Sequence, residues 1–142
     1  MSNANKLADR AEALLRRIEK LLPAEPAETG WKASIAFRWR KRGGSGFIEA
    51  VRHVHKIALG DLHGIDRQKK VVEQNTRQFI EGFPANNVLL TGARGTGKSS
   101  LIKALLNKYA ARGLRVIEVE KHDLIDLPEI VDRIAERAER FI

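Results

Sequence analysis

Residues 92–99 read Gly92-Ala93-Arg94-Gly95-Thr96-Gly97-Lys98-Ser99, and this octet constrains the fold more than any other feature of the chain. It satisfies G-x-x-x-x-G-K-[ST], the Walker A or P-loop pattern, at every required position. A loop that wraps a polyphosphate must turn its backbone N–H groups inward, through conformations that a Cβ obstructs. Gly92, Gly95 and Gly97 supply that freedom. A helix beginning near Lys98 would aim its N-terminal amides and positive dipole end at the phosphates. Lys98 is then the catalytic point charge for the β- and γ-phosphates, Ser99 a hydroxyl ligand for Mg²⁺, and Ser100 a donor toward the α-phosphate side. Chance alone yields such an octet on the order of once in two hundred chains of this length.

The flanks agree with the motif. Asn87-Val88-Leu89-Leu90 is a short apolar run of the kind a buried parallel strand shows. Leu101, Ile102, Leu105, Leu106 and Tyr109 mark one face of a following helix, which Gly113 stops. Upstream, Ile65, Val72, Thr76, Phe79 and Ile80 share a helical face that ends at Gly82 and Pro84. Downstream, Val116-Ile117-Glu118-Val119 reads as a second strand. Asp126 with Glu129 reads as a D-x-x-E cap on a helix whose apolar face is Ile130, Ile134 and Ala138. Helix, strand, loop, helix, strand, helix predicts an α/β fold, a parallel sheet covered by helices.

The first 58 residues differ in character. Leu7, Ala11, Leu14, Leu15, Ile18, Leu21 and Leu22 form an apolar stripe of helical period, capped by Ser2 or Asn3 and stopped by Pro23. Such a helix is expected to lie on its own domain, with docking or oligomerisation as the alternative. Residues 23–30 (PAEPAETG) read as a linker. Ile35, Phe37 and Trp39 alternate with polar neighbours as in a short strand or edge ribbon, followed by a flexible GGSG turn at 43–46. The net charge is +8 and the pI about 10.1. Between Trp31 and Ala58, seven cations (Lys32, Arg38, Arg40, Lys41, Arg42, Arg52 and Lys56) face one acid, Glu49. Aromatics interleaved with arginines suit nucleic acid; a half-buried strand with a solvated basic face is the simpler reading. His53 and His55 would share one side of a strand, but no further His or Cys supports a metal site, and His63 and His122 read as ordinary polar residues.

The run from Asp61 to Leu106, with Gly64-Ile65-Asp66 ahead of a helix, a strand and Walker A, resembles the start of an AAA+ module. Together with the basic aromatic stretch, the HxH pair and KHDLIDLPEIVD, it resembles a bacterial family of largely uncharacterised AAA+ ATPases from Trp31 onward. The resemblance implies ATP and Mg²⁺ as ligands, with residues 62–65, Ile65 among them, along the adenine. It implies self-association as an AAA+ oligomer and hydrolysis coupled to remodelling a protein or nucleic-acid partner. An AAA+ enzyme also needs a Walker B strand ending in an acidic pair. That strand would begin near Arg140-Phe141-Ile142, so the chain is expected to be an N-terminal fragment that binds nucleotide without hydrolysing it. Asp123 and Asp126 read as turn and cap rather than Walker B.

The expected organisation is a helix over 1–22, a linker and basic segment over 23–58, and the first half of an ATPase domain over 59–142. The alternative function is a nucleotide-switched, nucleic-acid-associated adaptor or loader contacting its target through residues 38–42. A small-molecule kinase lacks any acceptor-site signature here, and a guanine-reading Asn-Lys-x-Asp does not occur. Without cysteine, disulfides and thiolate chemistry are excluded. Asp9 and Glu12, and no apolar core, argue against a secretory signal at the N-terminus; no run is long enough to span a bilayer. A cytoplasmic protein without membrane contact is expected.

Overall fold

The computed structural model describes residues 3–19 and 29–142. Its elements are helix α1 (Asn3–Glu19), strands β1 (Ala36–Arg42) and β2 (Ser45–Ala50), helices α2 (Asp66–Ile80) and α3 (Lys98–Tyr109), strand β3 (Leu114–Glu118), helix α4 (Leu127–Ile134) and strand β4 (Arg140–Phe141). The fold is mixed α/β. One four-stranded sheet has the order β2-β1-β3-β4. β1, β3 and β4 run parallel, and β2 turns back antiparallel on β1. The sheet is therefore mixed rather than purely parallel. β1, which carries Phe37 and Trp39, is an interior strand, while β2 and β4 are the edges.

Strand alternation divides the core. Ala36, Leu114 and Val116 face Leu101, Ala104, Leu105, Leu106 and Tyr109 of α3, with Val72, Phe79 and Ile80 of α2 packed against them. Phe37, Trp39, Ile48 and Ile117 face the other way, onto Ile130 and Ile134 of α4. Helices thus cover both sheet faces. The predicted helical faces around Thr76 and Leu105 are borne out, although Ile102 sits at the margin of exposure. Gly82 and Gly113 adopt positive φ after α2 and α3, where a side chain would be strained.

The GGSG segment does two jobs. Gly43 and Gly44, both at positive φ, make a two-residue hairpin turn. Gly46 belongs to β2, where a Cβ would fall 1.8 Å from the Trp39 ring. Its lack of a side chain makes room for the indole.

Asp126 corrects an expectation. Its backbone precedes α4, but its side chain makes no cap hydrogen bond. The carboxylate instead accepts from Trp39 Nε1 at 3.0 Å and pairs with Lys41 at 2.7 Å. Burying an indole N–H without an acceptor is costly, so this partner on the covering α4 side outcompetes a local cap. The Lys41 and Trp39 hydrogen bonds together hold the Asp126 carboxyl below the ordinary carboxylate range.

The second strand of the expected parallel sheet is present as β3, but the first is not. Residues 87–90 form no ladder with any described strand, and Leu89 is 86% exposed. Nor does α1 lie on a domain: Leu7, Leu14, Leu15 and Ile18 are all exposed. Leu21, Leu22 and the expected linker up to Glu28 fall outside the described residues. No described helix is long and apolar enough to cross a membrane.

α2 is locked to α3 through Glu73, which accepts from the Tyr109 hydroxyl at 3.0 Å and from the Lys108 ammonium. The Lys108 bond holds the Glu73 carboxyl below its ordinary range, against partial burial and with help from Tyr109. A depressed carboxyl stabilises the fold above its ordinary pKa, and that contribution fades as pH falls through the depressed value. Glu73→Gln is expected to cost about 0.5–1.5 kcal/mol at neutral pH by urea denaturation. The gap should close as the pH drops below the usual carboxylate range; a gap independent of pH would refute the assignment.

Candidate phosphate-binding site

Residues 92–97 form an exposed loop between the extended 87–90 segment and α3. Gly92, Gly95 and Gly97 have φ of 141°, 85° and 86°, in the region that L side chains avoid, and Gly97 is the N-cap of α3. At Gly92 a Cβ would also come 3.1 Å from Thr96 Oγ1. The glycines therefore sit where the sequence placed the conformational demand. The loop is closed by its own side chains. Thr96 Oγ1 donates to the Ala93 carbonyl at 2.8 Å. Lys98 Nζ reaches back to the carbonyls of Gly92 (2.7 Å) and Ala93 (2.6 Å) and to Thr96 Oγ1 (3.3 Å).

The ammonium is thus held over the loop, at the start of a twelve-residue helix. Among the described residues, no protein acceptor pairs with the backbone N–H groups of residues 93–100. Eight consecutive donors, one helix N-terminus and one fixed cation form a concentrated patch of positive potential, suited to an anion with several oxygens. Arg94 is exposed on the loop, Ser99 exposed on the first turn of α3, and Ser100 half-buried beside it.

Neighbouring segments are braced by side chains that the sequence did not single out. Asn75 of α2 donates to the Asn86 carbonyl at 2.7 Å and accepts from the Asn86 N–H at 2.8 Å, fixing the chain as it enters 87–90. Asn107 of α3 donates to the carbonyls of His55 and Ile57, strapping the segment after β2 across the helix. Asparagine's paired amide suits it to mimic backbone in this way; neither residue stands in a motif that marks the role.

Other predicted residues are placed differently. Ile65 immediately precedes α2 and packs with buried Leu62 against the α3 core. It does not line the cavity that Lys98 and Ser99 share with residues of the sheet. His53 and His55 are exposed and lie in irregular chain rather than a strand, and no group of three His, Cys, Asp or Glu suited to a metal occurs among the described residues. The basic ribbon is largely neutralised. Arg38 pairs with Glu118 at 2.7 Å, Arg40 with Glu49 at 3.4 Å, and Lys41 with Asp126; Arg42 instead lies over the Phe47 ring.

Residues 32–142, well over half of the chain, match the family described as "Protein of unknown function (DUF815)". No curated protein and no solved structure gives a significant match.

Proposed function

Since the chain belongs to the DUF815 family, whose description assigns no activity, we propose a function from the site alone: residues 92–99 bind the phosphates of ATP. The observation that carries this reading is the run of free N–H groups over residues 93–100, together with Lys98 Nζ poised above the loop. Gly92, Ala93, Arg94, Gly95, Thr96 and Gly97 line the phosphates through their backbone. Lys98 would exchange its carbonyl partners for phosphate oxygens, and the Ser99 hydroxyl would hold Mg²⁺, which would offset phosphate charge. Binding is testable by titrating a fluorescent ATP analogue with and without Mg²⁺. No saturable binding at millimolar nucleotide would end the proposal.

The finer reading is an AAA+ ATPase in which hydrolysis remodels a protein or nucleic-acid partner. It draws on the resemblance, on Gly64-Ile65-Asp66 ahead of α2, and on β4 adding in parallel beside β3. Hydrolysis would also need a carboxylate that activates water.

The adaptor reading, with residues 38–42 on nucleic acid, is less favoured because three of its four cations already have carboxylate partners. Replacing Arg38, Arg40, Lys41 and Arg42 with alanine is expected to change duplex or single-strand DNA affinity less than about threefold at 0.15 M salt. A larger loss, with the steep salt dependence of phosphate contacts, would restore that reading.

A further inference from the structure

Helix α1 carries an apolar stripe that the rest of the described fold does not cover. Leu7, Ala8, Ala11, Leu14, Leu15 and Ile18 fall within about a third of the helix circumference at 3.6 residues per turn. The large ones, Leu7, Leu14, Leu15 and Ile18, are 73%, 53%, 58% and 51% exposed, and none joins either core cluster. Their spacing is that of a heptad, with Ala11 and Ile18 at a, Leu7 and Leu14 at d, and Ala8 and Leu15 at e. Helices in water are held mostly by packing an apolar face rather than by propensity, so this 17-residue helix needs a surface to lie on.

The charges beside the stripe select that surface. Arg10 and Arg17 occupy the g positions along one flank, and Glu12 and Glu19 occupy the b positions along the other. An anionic lipid surface would attract the first pair and repel the second. A second α1 suits both. Two copies side by side in the same direction set each basic flank against the partner's acidic flank, twice over by symmetry. Reversing one copy sets arginine against arginine and glutamate against glutamate, which is repulsive. Glu12 also meets Arg16 of its own helix at 3.2 Å, an exposed pair too weak to compete strongly. We propose that α1 is a parallel dimerisation helix whose partner is α1 of a second copy of this chain. Leu7, Leu14 and Ile18 form the seam, and Arg10 and Arg17 of one copy face Glu12 and Glu19 of the other. Leu21 and Leu22, outside the described residues, continue the heptad in the sequence. The contact uses no residue of the phosphate loop, so it is separate from any assembly that nucleotide drives.

Sedimentation equilibrium of the whole chain in nucleotide-free buffer tests this, and its result is independent of the phosphate proposal. A reversible dimer is expected at submillimolar concentration, with helix content by circular dichroism rising as the dimer forms. Leu14→Asp should weaken dimerisation roughly tenfold or more, because it buries a carboxylate in the seam. Arg10→Glu with Arg17→Glu makes both flanks acidic and should weaken it roughly fivefold or more at low salt, the difference shrinking as salt rises. The chain has no cysteine, so Leu7→Cys reports direction: oxidation should join position 7 of one copy to position 7 of the other. Fluorescence of Trp31 and Trp39 checks that each variant keeps its core, and the parent's own sedimentation tests the proposal whatever a variant does. A parent chain that stays monomeric, or a dimer that Leu14→Asp or the two arginine substitutions leave intact, would overturn the proposal. So would a mixture of Leu7→Cys and Ile18→Cys chains in which position 7 joins only to position 18, the mark of an antiparallel pair.

Discussion

Replacing Lys98 with alanine is expected to weaken Mg²⁺-dependent ATP binding roughly 10- to 100-fold without unfolding the chain. A charge-assisted hydrogen bond contributes about 1.5–3 kcal/mol, and each 1.4 kcal/mol is tenfold in affinity. The fold should tolerate the change because the ammonium is bonded only within its own loop, to Gly92, Ala93 and Thr96. Lys98→Arg is no rescue, since the guanidinium is larger and planar where a compact point charge is needed. Ser99→Ala should separate the two ligands: ATP affinity in EDTA stays within about twofold, while the gain on adding Mg²⁺ is lost. Isothermal titration calorimetry reads all three variants. Wild-type affinity in Lys98→Ala, with thermal stability unchanged, would leave the loop as a structural turn and nothing more.

The largest loss of stability is expected at Trp39. The indole is 1% exposed, packs in the core beneath α4 with the Arg133 guanidinium over it, and donates to Asp126 at the start of α4. Trp39→Ala combines a cavity with a carboxylate that loses its donor, at about 3–5 kcal/mol. Against a typical total of about 5–15 kcal/mol, that is enough to leave a sizeable unfolded fraction. The complementary test is Gly46→Ala, whose new Cβ would have to displace the ring, at about 1–3 kcal/mol. Because the two positions contend for one volume, Trp39→Phe with Gly46→Ala should lose less than the sum of the single changes. Denaturant melts of the four chains decide it; strict additivity, or a neutral Gly46→Ala, would show that the ring shifts freely.

These predictions lie at opposite ends of what can be read without a structure. The demand for glycine at 92, 95 and 97 is a property of the backbone over eight residues, and the positive φ values fall where the motif requires them. The α2 and α3 faces were legible for a similar reason: 3.6-residue periodicity is written within one helix. Strand alternation likewise assigned Phe37 and Trp39 to one buried side. Nothing local distinguishes an edge ribbon from an interior strand, however, and β1 proved interior because β3, more than 70 residues later, pairs beside it.

The charged residues show the same division more sharply. As a sequence, Arg38 to Arg42 is an unopposed basic run, and Asp126 has the spacing of a helix cap. The partners that change both meanings are 80 and 87 residues away, Glu118 for Arg38 and Trp39 for Asp126. Sheet register, set by the whole fold, brings those side chains within hydrogen-bonding distance, and a buried donor then outweighs a solvent-exposed cap. Residues 87–90 are the reverse case. Their composition specifies a buried strand, but burial needs neighbours on both edges, and the tertiary structure leaves that place open. The sequence by itself determined the glycine-rich loop at 92–97, the faces of α2 and α3 and the strands β1 and β3, because each depends on a few consecutive residues. Only the tertiary structure decided which charges are free, which strand is central and which edge is exposed, because each depends on what the fold sets beside it.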